Sequence, residues 1–166
     1  MNRRQMIAGL SGLFGYSVVQ ALTIKPASMV PILKPKSEWK SLLPADRYRV
    51  LFEEDTEPSG SSTLNHEKRA GTYVCAACHQ PLFQSTVKYD SGTGWPSFYD
   101  AIAGALEKKK DFALVWPRVE YHCARCGGHQ GHVFKDGPKP TGLRYCNNGL
   151  ALRFTPEHEP QLELRK

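Results

Sequence analysis

Apolar residues recur at two different spacings along this chain, and the change from one to the other divides it. Between Ser37 and Phe52 the spacing is helical: Trp39, Leu42 and Leu43 stand at i, i+3 and i+4, and Tyr48, Leu51 and Phe52 repeat the interval. The pattern predicts one or two short helices, with Ser37 as cap and Glu38 in the first turn. Pro44 breaks or restarts the helix at an opening position. The apolar stripe is expected to pack on a sheet. Glu53–Gly71 loses the period and carries Pro58, Gly60 and paired serines, which read as a surface loop. From Thr72 the signal is β. Short runs at Thr72–Cys75, Pro81–Phe83, Val119–Cys123, His132–Phe134 and Leu143–Phe154 are punctuated by turns at Asp90–Gly92, Asp136–Pro138 and Thr141–Gly142. Short strands with glycine-rich turns predict a mainly β, antiparallel fold.

The stretch Leu143–Phe154, read as one strand, puts Arg144, Cys146 and Asn148 on one face, and the same parity runs on into Leu150, Leu152 and Phe154 as a core-facing row. A guanidinium beside a thiol favours the thiolate, which is the reactive form. A buried structural cysteine on a strand is the plainer alternative.

The N-terminal segment follows neither spacing. Arg3 and Arg4 precede an uncharged run, Met6–Leu22, interrupted by Gly9, Gly12 and Gly15. A basic start followed by a moderately apolar stretch reads as an export leader, and the paired arginines resemble a twin-arginine signal. An uncleaved membrane anchor is the alternative. Pro26, Pro31 and Pro35 mark an extended linker. The expected organisation is a leader over residues 1–28, a linker over 29–36, one domain over 37–158 and a tail over 159–166. Its 166 residues suit a single domain with a real core. The net charge of +6 is partly owed to the leader, and Lys108–Lys110 is the only run of three basic residues, so a nucleic-acid surface is not indicated.

Five cysteines add the chemistry. Cys75 with Cys78 and Cys123 with Cys126 form two C-x-x-C pairs, which suit a tetrahedral zinc site with two thiolates from each turn. Two disulfides, or a thioredoxin-type redox pair, are the competing readings. The pairs fall at β-turns, whereas a thioredoxin-type pair opens a helix. A site closed by four thiolates has no open position and is structural. Cys146 is left without a partner and is the candidate nucleophile.

Two further stretches stand out. Trp95 sits between glycine and proline in Ser91–Phe98, on a rigid loop, as either a core plug or the wall of a small apolar pocket. His129 and His132 are three apart in a glycine-rich run directly after the second cysteine pair. A straight strand would set them on opposite faces, but the glycines permit a bulge that brings both to one side, which points to acid–base chemistry.

Taken together, S-G-x-G-W-P-S-F, G-H-x-G-H-V-F, D-G-P-x-P-T-G, R-Y-C-x-N and the two cysteine pairs resemble the type B methionine sulfoxide reductases, over about Ser37 to Pro156. The resemblance implies two antiparallel sheets with short N-terminal helices and one structural zinc per chain, held by Cys75, Cys78, Cys123 and Cys126. It implies reduction of the R epimer of methionine sulfoxide, in proteins or small compounds. Cys146 would attack and become a sulfenic acid, with His129 and His132 handling the proton and Asp136 supporting them. Arg144 would favour the thiolate, Trp95 would hold the S-methyl group, and Asn148 would help fix the site. Many members carry a resolving cysteine at the x of S-G-x-G-W-P-S-F; Thr93 stands there in this chain. An external thiol, such as a thioredoxin-like protein, is then the expected reductant, acting in the periplasm if the leader exports the chain. A zinc-stabilised binding module without catalysis and a thiol–disulfide oxidoreductase are the alternative functions.

Overall fold

The computed structural model describes residues 30–111 and 118–166; the expected leader lies outside the described residues. Among the described residues two α-helices come first, α1 over Lys36–Leu42 and α2 over Ala45–Phe52. The helical spacing therefore located both. The caps differ from expectation. Helix α1 begins at Lys36, with Pro35 in the capping position and no side-chain cap, so Ser37 lies inside the first turn. Pro44 likewise precedes α2 instead of opening it. In both cases the fixed φ of proline starts the helix without needing a side-chain acceptor. Trp39 is buried and stacks on Phe52, with ring centroids 5.5 Å apart, which locks the two helices together.

Among the described residues nine strands follow: β1 (Gly71–Cys75), β2 (Pro81–Gln84), β3 (Lys88–Tyr89), β4 (Ser97–Phe98), β5 (Leu106–Asp111), β6 (Arg118–Cys123), β7 (His129–Phe134), β8 (Arg144–Asn147) and β9 (Leu152–Pro156). They form two antiparallel sheets, a three-stranded one in the order β2-β1-β9 and a six-stranded one in the order β3-β4-β8-β7-β6-β5. This is the mainly β, two-sheet architecture expected from the sequence. The core lies between the sheets and is aromatic. Phe83 of β2 stacks on Phe98 of β4 at 4.1 Å, and Tyr73, Tyr121 and Tyr145 crowd around them.

The stretch Leu143–Phe154 is not one strand. It forms β8, a single 3-10 turn over Gly149–Ala151, and then β9, which joins the other sheet. The cause is a long-range partner. Glu57, in the polar loop before β1, accepts hydrogen bonds from the backbone N–H groups of Gly149 and Leu150 at 2.5 and 2.9 Å. Those amides are taken from the sheet ladder, and the chain turns. The apolar row Leu150, Leu152 and Phe154 thus serves the second sheet and is not a continuation of the Cys146 face.

Directly opposed residues of an antiparallel pair share a face. The register lines up Ser97, Cys146, His132, Glu120 and Lys109 across five strands of the larger sheet. The neighbouring row, Phe98, Tyr145 and Val133, carries the core-facing residues. One face of this sheet is therefore apolar and packed, and the other carries ionisable groups.

Candidate active site

Cys146 sits near the middle of that ionisable face, half-buried on β8. Arg144 is on the same face and is gripped by Asp136, which accepts from Nε at 2.9 Å and from an Nη at 2.8 Å. The guanidinium also lies over the Phe134 ring, 4.3 Å from its centroid. Burial raises the Cys146 thiol pKa; hydrogen bonding to Thr93 and the charge of Arg144 pull it down but do not overcome the desolvation. Arg144 was expected to favour the thiolate, and its charge acts in that direction, although Asp136 shares it and burial dominates. Asp136, expected to support the histidines, is exposed and holds Arg144.

Thr93 places its Oγ1 3.9 Å from the Cys146 sulfur. Its loop is held by Ser91, which bonds both Thr93 and Ser97. The position where a second thiol would reach Cys146 is thus occupied by a hydroxyl.

His129 and His132 do come to one face. The β6–β7 register slips between Tyr121 and His122, and the two imidazole centroids lie 5.7 Å apart. Gly131 makes this possible, because a Cβ there would sit 2.0 Å from the Cys146 carbonyl oxygen. Gly131→Ala is expected to destabilise the fold by about 2 kcal/mol or more through overpacking and to push β8 away from β7. Thermal unfolding with backbone amide shifts of β8 would register both effects.

The histidines hold different stations. His132 Nε2 donates to an Asp111 carboxylate oxygen at 2.9 Å, and Arg118 binds the same oxygen at 2.8 Å. His129 is buried, and its Nδ1 is 2.5 Å from Glu120 Oε1. Burial lowers the His129 pKa, while Glu120 opposes the shift. A pocket of about 140 Å³ opens beside Cys146. Trp95 and Phe134 give it apolar walls, and His132, Asn147 and Asn148 give it polar edges; His129 does not line it.

Trp95 is a pocket wall and not a core plug. Its indole Nε1 donates to the Glu57 carbonyl at 3.1 Å. The Glu57 N–H donates to Asn148 Oδ1 at 3.1 Å. Asn148 Nδ2 in turn donates to the Gln130 carbonyl. Glu57 therefore fixes Trp95, Asn148 and the turn after Cys146 at once. Burial pushes its carboxyl pKa up, against the pull of the Gly149 and Leu150 amides and Arg47. Sequence reading missed this residue, since nothing in a polar loop distinguishes one buried acid. Glu120 and Asp111 were missed for a different reason: their histidine partners depend on strand register, and Leu106–Asp111, with three consecutive lysines, reads as a surface turn although it forms β5. Asn147 was also missed; its Oδ1 accepts from the buried Tyr121 hydroxyl at 2.8 Å.

The other four cysteines meet away from this pocket, where the β1–β2 and β6–β7 turns approach. Sulfur separations are 3.6 Å for Cys75 to Cys126 and 3.6 Å for Cys78 to Cys123, and all four lie within 4.8 Å of one another. Tetrahedral coordination with Zn–S bonds of about 2.3 Å needs sulfurs about 3.8 Å apart. None of the four is in a disulfide. Hydrogen bonding to Cys123 holds the Cys78 thiol far below its usual range and pushes Cys75 well above. Four sulfurs this close cannot all ionise without a cation, so the donor set fits a metal ion.

The matching family model is the SelR domain, over residues 43–156. This chain belongs to the SelR-domain family. The SelR match spans both sheets and the helix α2. A protein of Methanosarcina barkeri named peptide methionine sulfoxide reductase MsrB is 49% identical over 127 residues, 76% of this chain and 89% of its own. One of the same name from Leptospira interrogans is 48% identical over 125 residues, 75% of this chain and 95% of its own. A peptide methionine sulfoxide reductase B2, chloroplastic, from Arabidopsis thaliana is 42% identical over 149 residues, 89% of this chain and 71% of its own.

Proposed function

We propose that this SelR-family protein reduces the R epimer of methionine sulfoxide, using Cys146 as the attacking thiol. The observation that carries the reading is the meeting of Cys146, His132 and Trp95 around one small pocket with both apolar and proton-bearing edges. The Trp95 and Phe134 rings offer an apolar seat for the S-methyl group. The Cys146 thiolate attacks the sulfoxide sulfur. His132 delivers a proton to the sulfoxide oxygen, a poor leaving group unless protonated. The oxygen ends on Cys146 as a sulfenic acid and methionine leaves, so the sulfur of the substrate gains the two electrons that Cys146 loses.

His132 is assigned the donor role over His129 because His132 borders the pocket and His129 is buried behind it, with its pKa lowered by that burial. Asp111 and Arg118 orient His132, and Glu120 orients His129. Asn148 and Arg144 hold the loop and strand that carry Cys146.

Resetting requires an outside thiol. It attacks the sulfenic acid, water leaves, and a second thiol of the reductant releases Cys146 from the mixed disulfide. A thioredoxin-like dithiol or a small thiol has the chemistry for this. The four-cysteine cluster suits one structural Zn²⁺, which would stabilise the fold and take no part in turnover. The twin-arginine-like leader would put this work in the periplasm.

The test is turnover of the separate R and S epimers of a blocked methionine sulfoxide, with a dithiol reductant. Activity on R alone is expected. Activity on neither would favour the non-catalytic binding module, and equal activity on both would contradict the epimer assignment. Trp95→Ala is expected to raise KM and lower kcat, with a combined loss of about 10–100-fold in kcat/KM. Normal kinetics with a collapse in thermal stability would instead make Trp95 a structural residue.

A further inference from the structure

The ionisable face holds a second cluster of ligand-type side chains, behind the pocket. Glu120 and His122 alternate along β6, and His129 comes to them across the slipped register. Glu120 Oε1 is 2.5 Å from His129 Nδ1 and 3.2 Å from His122 Nε2. One ligand atom from each of the three residues falls within 4.8 Å of the others. The two imidazole centroids are 5.7 Å apart. Glu120 and His129 are buried, and His122 retains 15% of its side-chain exposure, which gives the cluster an outlet.

The hydrogen bonds around His122 show what is lacking. Its Nδ1 is 3.1 Å from the Gly127 carbonyl, which can only accept, so Nδ1 carries the hydrogen. Its Nε2 points at Glu120 Oε1, 3.2 Å away. That nitrogen is buried and makes no hydrogen bond, and the same holds for Nε2 of His129. Buried imidazole nitrogens that lack a hydrogen bond, gathered with a buried carboxylate, are a donor set that a cation would satisfy. An imidazole whose second nitrogen donates to a backbone carbonyl is also the usual arrangement of a metal-ligating histidine.

We propose that Glu120, His122 and His129 form a second, inhibitory metal site, distinct from the four-cysteine cluster. Two imidazoles and one carboxylate select a first-row divalent cation such as Zn²⁺ or Co²⁺ over Mg²⁺ or Ca²⁺. The fourth coordination position is open to water. An ion here takes Glu120 away from His129, whose ring abuts His132, and so disturbs the proton-donating side of the pocket. The inhibitory consequence rests on the sulfoxide reductase reading; the binding does not.

The experiment uses the full chain, zinc-loaded at its cysteine cluster, with Cys146→Ser to remove the reactive thiol as a competing ligand. It is titrated with Co²⁺. Expected is one further equivalent, with weak visible absorption and no sulfur-to-metal charge transfer. His122→Ala and His122→Gln should each weaken it about 10-fold or more, with cluster zinc unchanged. No added equivalent, or one indifferent to both His122 variants, overturns the site. In the active enzyme, Zn²⁺ should suppress R-epimer turnover, and His122→Ala should relieve it. Turnover unchanged at saturating metal overturns the inhibitory role. An enzyme inactive on either epimer would sink the reductase reading and leave the cobalt titration standing.

Discussion

Cys146→Ser is expected to abolish sulfoxide reduction, by about 10⁴-fold or more, while the domain melts within about 3 °C of wild type. The reasons are geometric. Cys146 is half-buried at the edge of the pocket, the Thr93 hydroxyl stands 3.9 Å from its sulfur, and serine fills nearly the same space. No stabilising network runs through the sulfur. The serine hydroxyl, by contrast, cannot become a nucleophile of comparable strength, because an alcohol ionises far less readily than a thiol and its oxygen is a poorer nucleophile toward sulfur. Calorimetry beside steady-state kinetics separates the two effects. A large loss of stability with residual turnover would assign Cys146 to the core and the chemistry elsewhere.

Cys123→Ser is expected to do the reverse and unfold the domain at ordinary temperature. Metal binding at a four-thiolate site contributes about 10–16 kcal/mol to folding in small metal-dependent modules, against a total stability of about 5–15 kcal/mol for a typical domain. The cluster joins turns from both sheets, and Cys75, Cys78 and Cys123 are all buried. Losing the ion would leave four close sulfurs where the two sheets must meet. Chelation of the wild type should reproduce the result, and zinc analysis should find about one ion per folded chain. A Cys123→Ser protein that folds normally without metal would contradict this account of what joins the sheets.

Much of this arrangement was legible in the sequence because it depends on local spacing. The helical interval located α1 and α2, and the C-x-x-C turns identified four clustering sulfurs. The glycines around His129 and His132 announced a slipped register. What could not be read depends on partners far apart in the chain. Leu143–Phe154 alternates like one strand, and only Glu57, 92 residues before Gly149, makes it turn at Asn148. Glu57 itself lay hidden in a polar loop. Burial of Cys146 outweighs the nearby guanidinium, a balance that needs the solvent-excluding neighbours and not just the charge. Asp136 was expected to support the histidines on the family resemblance, whereas Glu120 and Asp111 reach them across strands and Asp136 holds Arg144.

The most direct test of the central claim, that Cys146 alone carries the redox change, is mass spectrometry after a single turnover. The zinc-loaded protein receives one equivalent of R-methionine sulfoxide and no reductant, and dimedone then traps any sulfenic acid. Thr93 beside the sulfur and the four cysteines gathered elsewhere leave no second thiol to close an internal bridge. The predicted result is a dimedone adduct on Cys146, zinc still bound and no intramolecular disulfide. A disulfide between Cys146 and any of Cys75, Cys78, Cys123 or Cys126, with zinc released, would contradict the account.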